Sequence, residues 1–159
     1  MESISRNVWG LATVLWAVVI FNLSGATYSA ASSQRLISQI LGWLSISLSR
    51  QDIQLLNVIL RKCSHLTEYS VLAVLLYGYL RPAGEGSWSR KAALWAVMIS
   101  GSYSLTDEFH QVFVPGRHAS LFDCLIDTTG ACLGLIVLSA AIGAYRLMRA
   151  GSFTPVSSQ

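Results

Sequence analysis

Long apolar stretches alternate with short polar segments along the chain. Four of these stretches approach the length of a membrane-spanning helix, which needs roughly 17–25 mostly apolar residues. They run over residues 8–23, 63–80, 92–111 and 121–145. Only helices and closed barrels satisfy backbone groups inside lipid, and the pattern lacks the many alternating strands of a barrel. It therefore predicts four transmembrane α-helices.

A fifth and shorter helix is predicted between the first two spans. Apolar residues recur at roughly helical spacing from Leu36 to Leu48. Because this segment is too short to cross a bilayer, it favours an interfacial or re-entrant helix. The Ser- and Ala-rich residues 24–35 are predicted to form a loop. Pro and Gly end helices, so further loops are predicted at residues 81–87 and 114–117.

The composition of the chain narrows the fold class further. Its 159 residues are 53% apolar and only 12% charged, about half the ~25% that is usual for a soluble domain. High hydrophobicity excludes intrinsic disorder, and three cysteines are too few for a disulfide scaffold. A soluble domain of this size could not bury so much apolar surface. We therefore expect an all-α integral membrane protein, with a transmembrane domain over residues 1–150 and a polar tail over 151–159.

Basic residues in the connecting segments favour one orientation. With the N-terminus in the cytoplasm, the inside carries Arg6, Arg81, Arg90, Lys91, Arg146 and Arg149, and the outside carries Arg35, Arg50, Arg61, Lys62 and Arg117. The positive-inside rule prefers the larger set in the cytoplasm, and the difference grows if Arg61, Lys62 and Arg117 serve function instead of topology. The expected location is the cell membrane, with several spans and both termini in the cytoplasm.

The N-terminal segment has an alternative interpretation. Arg6, the apolar stretch after it and small residues near Ser29 and Ala30 also resemble a secretory signal peptide. Cleavage there would leave the later helices in the same orientation, so the analysis of their polar residues holds in both cases.

Polar residues inside the predicted spans are concentrated at one end of three helices. The start of the second span, the end of the third and the start of the fourth lie on the same side of the membrane. Because polar groups are costly in lipid, a group of them at one depth indicates mutual pairing or a wet cavity. The predicted polar site, which includes the turn before the fourth span, consists of Lys62, His65, Glu68, Tyr69, Asp107, Glu108, Gln111, Arg117 and Asp123.

The fourth span carries one stripe of acidic and small residues. Asp123 and Asp127 are four residues apart, and Gly130 and Gly134 continue the same face. Glycines at this spacing are more typical of close helix packing than of ligand contact. Asp127 taken alone is as consistent with an internal hydrogen bond as with a functional site, and the sequence leaves that choice open.

A spaced set of these residues resembles the VanZ-like family of small bacterial membrane proteins. The set consists of Lys62-x-x-His65-x-x-x-Tyr69, Asp107-Glu108-x-x-Gln111, Pro115-Gly116-Arg117, Asp123 and Gly130. The sequence departs from the family pattern at Asp127, where Asn is expected. The resemblance implies an all-helical, multi-spanning protein of the cell envelope. The founding member of that family is associated with resistance to teicoplanin, a glycopeptide that binds cell-wall precursors.

One hypothesis makes the polar site the active site of a membrane enzyme that acts on a lipid-linked envelope precursor. His65 or Glu108 would be the general base, because imidazole titrates near neutral pH and burial makes a carboxylate more basic. Asp107 and Asp123 are further catalytic candidates, and with His65 they could instead hold a divalent metal ion. Lys62 and Arg117 suit a phosphate or carboxylate. The full set of substrate-binding candidates is Lys62, Glu68, Tyr69, Gln111 and Arg117.

Two alternatives give the same residues no catalytic role. In the first, they bind a lipid, a peptidoglycan fragment or a glycopeptide, or they form an idle ion-pair network in which Asp107 or Asp123 pairs with Arg117. In the second, the acidic and His residues carry protons or ions, although four spans without broken-helix repeats argue against a transporter. Membrane lipids are expected partners and nucleic acids are not. The sequence leaves the cofactor, the metal and the oligomeric state open.

Overall fold

The computed structural model of the protein is built from helices. It describes residues 2–25, 30–82, 88–114 and 120–151. These residues form α1 (Glu2–Leu23), α2 (Ala30–Trp43), α3 (Arg50–Leu80), α4 (Arg90–Gln111) and α5 (Leu121–Gly151). No strand occurs in these ranges, so the predicted all-α class is confirmed. Most of the predicted loops at 81–87 and 114–117 and the tail beyond Gly151 lie outside the described residues.

The short helix α2 occupies a different position from the predicted one. The sequence predicts a helix over residues 36–48, whereas α2 begins at Ala30 and ends at Trp43. Part of the predicted loop over 24–35 is therefore helical, and that prediction is wrong for residues 30–35. Ser38 Oγ donates to the carbonyl of Gln34 at 3.0 Å, a local bond by which a polar side chain is accommodated inside a helix.

A backbone cap ends α2 early. Ser45 adopts a left-handed conformation with φ of 57°. The amide of Ser45 donates to Gly42 O, and the amide of Ile46 donates to Leu41 O, which is the hydrogen-bond pattern of a Schellman motif. Glycine usually occupies the left-handed position, so a serine there gives little sequence signal for the end of the helix.

Helix α3 is longer than the apolar span predicted inside it. The sequence predicts a span over residues 63–80, whereas the helix begins at Arg50 and has 31 residues. Ser49 caps its first turn, because its hydroxyl accepts from the amide of Asp52 at 3.2 Å. The predicted span begins after the basic pair Arg61 and Lys62, because charged residues end an apolar stretch. The helix itself continues through this pair. We call α2 together with residues 50–62 of α3 the arm.

Helix α3 is the centre of the bundle. It packs most extensively against α5 and also contacts α1, α4 and α2, while α4 packs against α5 as well. The contacts along each helix pair show that α5 runs parallel to α3 and that α1 and α4 run antiparallel to it. The end of α1, the end of α4 and the start of α5 therefore lie at the same end of the bundle.

Two glycines let α3 and α5 approach closely. A Cβ atom at Gly130 would collide with the backbone of Leu66, and one at Gly134 would lie 2.6 Å from the carbonyl oxygen of Ser70. Across this contact Ser70 Oγ donates to Gly130 O at 2.6 Å. The packing interpretation of the glycine stripe agrees with these distances.

The outer surface of the helices is apolar. Side chains such as Leu11 on α1 and Val137 on α5 are 62% and 68% exposed. Two of the described helices are long and apolar enough to cross a membrane, α1 over Arg6–Leu23 and α5 over Leu121–Arg149. Little of either segment is buried, which is unlike the core helix of a soluble protein. These two helices support membrane association.

Candidate functional site

Polar side chains from four parts of the chain meet where α1 and α4 end and α5 begins. Several of them are buried in an otherwise apolar bundle, which is costly unless they are hydrogen-bonded. Helical spacing explains their grouping, because residues three or four apart share a face. The cluster consists of Ser24, Lys62, His65, Glu68, Ser104, Asp107, Glu108, Gln111, Asp123 and Asp127.

His65 and Asp127 form the inner contact between α3 and α5. His65 Nδ1 lies 3.1 Å from Asp127 Oδ1, and Ser104 Oγ donates to Asp127 Oδ2 at 2.6 Å. The imidazole is 12% exposed and the carboxylate is fully buried. A single carboxylate thus joins three helices. We call His65 and Asp127 the inner pair.

Lys62 and Asp123 form a second contact one helical turn away on the same two helices. Lys62 Nζ donates to Asp123 Oδ1 at 2.6 Å. Their side chains are 42% and 23% exposed, so solvent reaches both. The ammonium group also lies 5.4 Å from the centre of the Phe122 ring, within reach of a cation–π interaction. We call Lys62 and Asp123 the outer pair.

Asp107 is buried at the end of α4, and among the described residues only one of its carboxylate oxygens accepts a hydrogen bond. Oδ2 accepts from Ser24 Oγ at 2.7 Å and from Gln111 Nε2 at 3.2 Å. Oδ1 has no hydrogen-bond partner within the described residues. Native proteins leave few buried acceptors without a hydrogen bond, so we expect this oxygen to accept from a donor outside the described residues.

Glu108, the next residue, is also buried, and one of its two carboxylate oxygens accepts a hydrogen bond. Oε2 accepts from the backbone amide of Ser120 at 2.6 Å, directly before the first residue of α5. A carboxylate there complements the positive end of the α5 dipole. Oε1 has no hydrogen-bond partner in the part of the chain that the structure describes. Two successive acids therefore each keep one buried oxygen for another donor.

A cavity opens beside the inner pair. It has a volume of about 160 Å³ and is lined by Leu23, Ser24, Ser33, Arg61, Ser64, His65 and Glu68. The end of α1, the start of α2 and the middle of α3 form its walls. It has room for a few water molecules or for part of a polar ligand.

A family model described as VanZ/LLP1 matches residues 9–143, which reach from α1 into α5 and include the whole cluster. The chain belongs to the VanZ/LLP1 family. The resemblance found in the sequence is thereby confirmed. No curated protein and no solved structure matches the chain.

The predicted polar residues of this VanZ/LLP1 chain occupy different layers of the cluster. His65 and Glu68 line the cavity, and Lys62 and Asp123 lie at the solvent-accessible outer pair. Asp107 and Glu108 are buried and partly unsatisfied. Tyr69 and Gln111 are also buried, and none of these four buried residues is among the described residues that line the cavity. Arg117 lies outside the described residues, so its predicted ion pair stays a prediction.

A metal centre was one option for the acidic residues and His65. Within the described ranges, no group of three or more His, Cys, Asp and Glu side chains is arranged to hold a metal ion. The acids instead accept from serine, glutamine, lysine and a backbone amide.

Three residues of the cluster were not among the predicted site residues. Ser24 and Ser104 each donate to a buried aspartate, and Asp127 accepts from two other helices. Asp127 carries the only available signal, since it is the position at which this chain differs from the VanZ-like pattern. A serine at the end of one helix or in the middle of another gives no comparable signal.

The inner pair has the geometry of an oriented acid–base group. A carboxylate that accepts from Nδ1–H fixes the tautomer of a histidine and leaves Nε2 as the basic nitrogen. Because His65 also lines the cavity, its other ring nitrogen can serve a molecule bound there. The cluster can therefore accept donors at Asp107 and Glu108 and take up a proton at His65.

Proposed function

We propose that this VanZ/LLP1 protein is a multi-pass membrane protein of the cell envelope whose polar cluster binds the polar part of a lipid-linked substrate. The cluster would lie near the extracytoplasmic leaflet, with both termini in the cytoplasm. His65 acts as the acid–base group and Asp127 orients it. The biological output we propose is an effect on glycopeptide susceptibility, as for the family's teicoplanin-associated founding member.

The observation that carries the proposal is the pair of unsatisfied acids. Asp107 Oδ1 and Glu108 Oε1 are buried acceptors without a hydrogen-bond donor among the described residues. An ion-pair network that served stability alone would leave neither open, because an unsatisfied buried acceptor costs about 1–3 kcal/mol. Hydroxyl, amide or ammonium groups of a sugar or peptide headgroup would supply the donors.

The direction of the helices supports a four-span arrangement. α1, α3, α4 and α5 alternate in direction, so a membrane crossed by α1 and α5 is crossed by the two helices packed between them. Exposed apolar residues on α4, such as Leu94 and Met98, would then contact lipid. Polar residues that lower the hydropathy of α3 and α4, such as His65 and Ser104, both contact Asp127 of α5 inside the bundle.

The roles of the cluster residues follow from their positions. A ligand hydroxyl in the cavity would donate its proton to His65 Nε2, and the resulting imidazolium would be stabilised by Asp127. Asp107 and Glu108 do not line the cavity, so their open oxygens would hold a part of the ligand that reaches past Ser24, which lines the cavity and donates to Asp107. Glu68 and Arg61 line the cavity and set the charges that an entering ligand meets.

Susceptibility to teicoplanin tests the proposal directly. The full chain is expressed in a teicoplanin-susceptible bacterium, and the minimal inhibitory concentration is compared with that of the empty vector. We expect expression to raise it and His65→Gln or Glu108→Gln to abolish the increase at unchanged membrane levels. Asp52→Asn is the matched control, because Asp52 is an exposed acid on the same helix as His65. Full activity of both cluster variants would contradict the proposed site.

Reporter fusions test the orientation separately. Fusions at residue 86 and after Arg149 should both read cytoplasmic. A periplasmic or extracellular signal at either position would contradict the proposed topology, even if the cluster proves functional.

A second candidate function is a structural interaction module, and the satisfied contacts favour it. The outer pair and the bonds of Asp127 bind three helices together without any ligand. In that case His65→Gln would lower thermal stability and phenotype together. A catalytic role predicts that the phenotype is lost while stability and ligand binding are kept.

A further inference from the structure

A second and larger cavity lies in the arm, away from the polar cluster. It is a groove of about 560 Å³ between α2 and the first turns of α3. Its polar lining consists of Gln34, Arg35, Ser38, Gln39, Arg50 and Gln54. Most of these side chains are exposed, so the groove is accessible from outside. It is not part of the site proposed above.

The groove is positively charged. Arg35 and Arg50 face it from opposite helices, and no acidic side chain is among its described lining residues. The ion pairs found in the described part of the chain are the inner and outer pairs, so neither arginine is neutralised there. Arg35 Nε makes one long bond of 3.4 Å to Ala31 O, which leaves the rest of its guanidinium available. Two arginines with the side-chain amides of glutamines near them suit a phosphate group.

Exposed apolar side chains lie on the parts of the arm outside the groove lining. On α2, Leu36, Ile40 and Trp43 are 57%, 43% and 85% exposed, and on α3 Leu55 is 61% exposed. An amphipathic helix with such a face lies in the membrane interface, where its apolar side chains reach the acyl region. With α2 lying on this face in the interface, a lipid whose phosphate reaches the arginines of the groove would keep its acyl chains in the lipid layer beside α2.

From these three features we propose that the arm binds the phosphate-bearing headgroup of a membrane lipid between Arg35 and Arg50. The lipid's acyl chains lie along the apolar face of α2. Basic pockets between helices at a membrane surface are suited to anionic headgroups. The proposal does not depend on the function of the polar cluster, because none of the residues that line the groove belongs to that cluster.

Binding of short-chain lipids to the full chain in a neutral detergent tests the proposal. The probes are dioctanoylphosphatidylglycerol, the zwitterionic dioctanoylphosphatidylcholine and the soluble headgroup analogue glycerol 3-phosphate. The quenching of tryptophan fluorescence gives a first signal, because Trp43 ends α2, and calorimetric titration gives the stoichiometry. We expect one saturable site that prefers the anionic lipid.

Substitutions locate that site. We expect Arg35→Gln to weaken the affinity about tenfold, and the double variant Arg35→Gln/Arg50→Gln to weaken it further. The control Arg90→Gln/Arg146→Gln removes the same charge from exposed positions outside the arm and should bind as the parent does. Circular dichroism checks that each variant keeps its helices.

Three results would overturn the proposal. Unchanged binding in the double variant would remove the groove as the site. An equal loss in the control pair would show a nonspecific charge effect. Equal affinity for glycerol 3-phosphate would exclude a lipid, since the acyl chains would then contribute nothing to binding. None of these results bears on the acid–base role of His65, which the susceptibility test addresses.

Discussion

The inner and outer pairs are the same kind of contact placed at two depths of one interface. Each joins a basic side chain of α3 to an aspartate of α5, and they lie one helical turn apart. In the outer pair the lysine is 42% exposed and the aspartate 23%. In the inner pair the aspartate is fully buried and accepts a second bond from a third helix. Depth is the main difference between them.

That difference assigns the two pairs separate tasks. A solvent-accessible ion pair contributes little to stability, because water and salt screen the charges. A buried aspartate must keep its donors, because losing one leaves an uncompensated polar group in the bundle. The histidine also lies against a cavity, whereas the lysine lies at the surface over Phe122. We therefore expect the inner pair to govern both stability and function, and the outer pair neither.

The largest expected effect comes from removing the carboxylate of the inner pair. Asp127→Ala takes the acceptor from His65 and Ser104 at once and should lower the free energy of unfolding by about 3 kcal/mol. Asp123→Ala in the outer pair is the matched control and should cost less than about 1 kcal/mol. Unfolding in detergent, followed by circular dichroism, measures both. Equal losses would contradict the distinction between the pairs.

Asp127→Asn sharpens the same comparison without removing the side chain. Asparagine keeps an acceptor for Nδ1–H and is the residue expected at this position from the VanZ-like pattern. If the carboxylate charge stabilises an imidazolium, the variant should keep its fold and lose most of its effect on teicoplanin susceptibility. Full retention of the phenotype would show that His65 needs only a hydrogen bond.

Close contact between α3 and α5 sets the depth of the inner pair. Gly130→Ala places a methyl group against the backbone of Leu66, so the helices must separate, and we expect a loss of about 2 kcal/mol in the free energy of unfolding. Gly143→Ala on the same helix meets nothing within 4 Å and should be neutral or slightly stabilising. A tolerated Gly130→Ala would mean that the interface is looser than these distances indicate.

The sequence predicts at which end of the bundle the polar residues lie better than it predicts which side chains bond to each other across the helices. The alternation of helix direction groups the polar residues at one end, and the spacing of Gly130 and Gly134 identifies the packed stripe. Spacing along one helix identifies a face but not the rotation of the opposite helix. This is why the sequence did not predict that Asp123 accepts from Lys62 or that Asp107 accepts from Ser24.

The predicted boundaries of α2 and α3 are wrong for a different reason. An apolar window ends at a charge, but the backbone hydrogen bonds of α3 continue through its basic residues to the Ser49 cap. The end of α2 depends on a left-handed serine, which a propensity argument would not select. Hydropathy therefore predicted a short helix in the arm, but not its bounds, the start of α3 or the groove between the two helices.

A smaller loss of stability is expected when the hydrogen bond from α4 to Asp127 of the inner pair is removed. Ser104→Ala removes the donor to Asp127 Oδ2 and leaves that buried oxygen open, at a cost of about 1 kcal/mol. Ser102→Ala on the same helix is the control, because its exposed hydroxyl bonds only to the carbonyl of Met98. Thermal unfolding of the two variants should differ in that order. A control as unstable as Ser104→Ala would indicate a general effect on α4.

The smallest effect is expected when the outer pair is reversed. Lys62→Asp and Asp123→Lys should each cost less than about 1 kcal/mol at low salt, and the double variant should regain that loss because the opposite charges face each other again. Raising the salt to about 1 M should erase the differences, since the screening length falls to about 3 Å. The double variant should also keep the parent's effect on teicoplanin susceptibility, because the outer pair holds no group that the cavity needs. Loss of that effect in a stable double variant would place Lys62 or Asp123 in contact with the ligand, and the boundary of the site would then move outward by one helical turn.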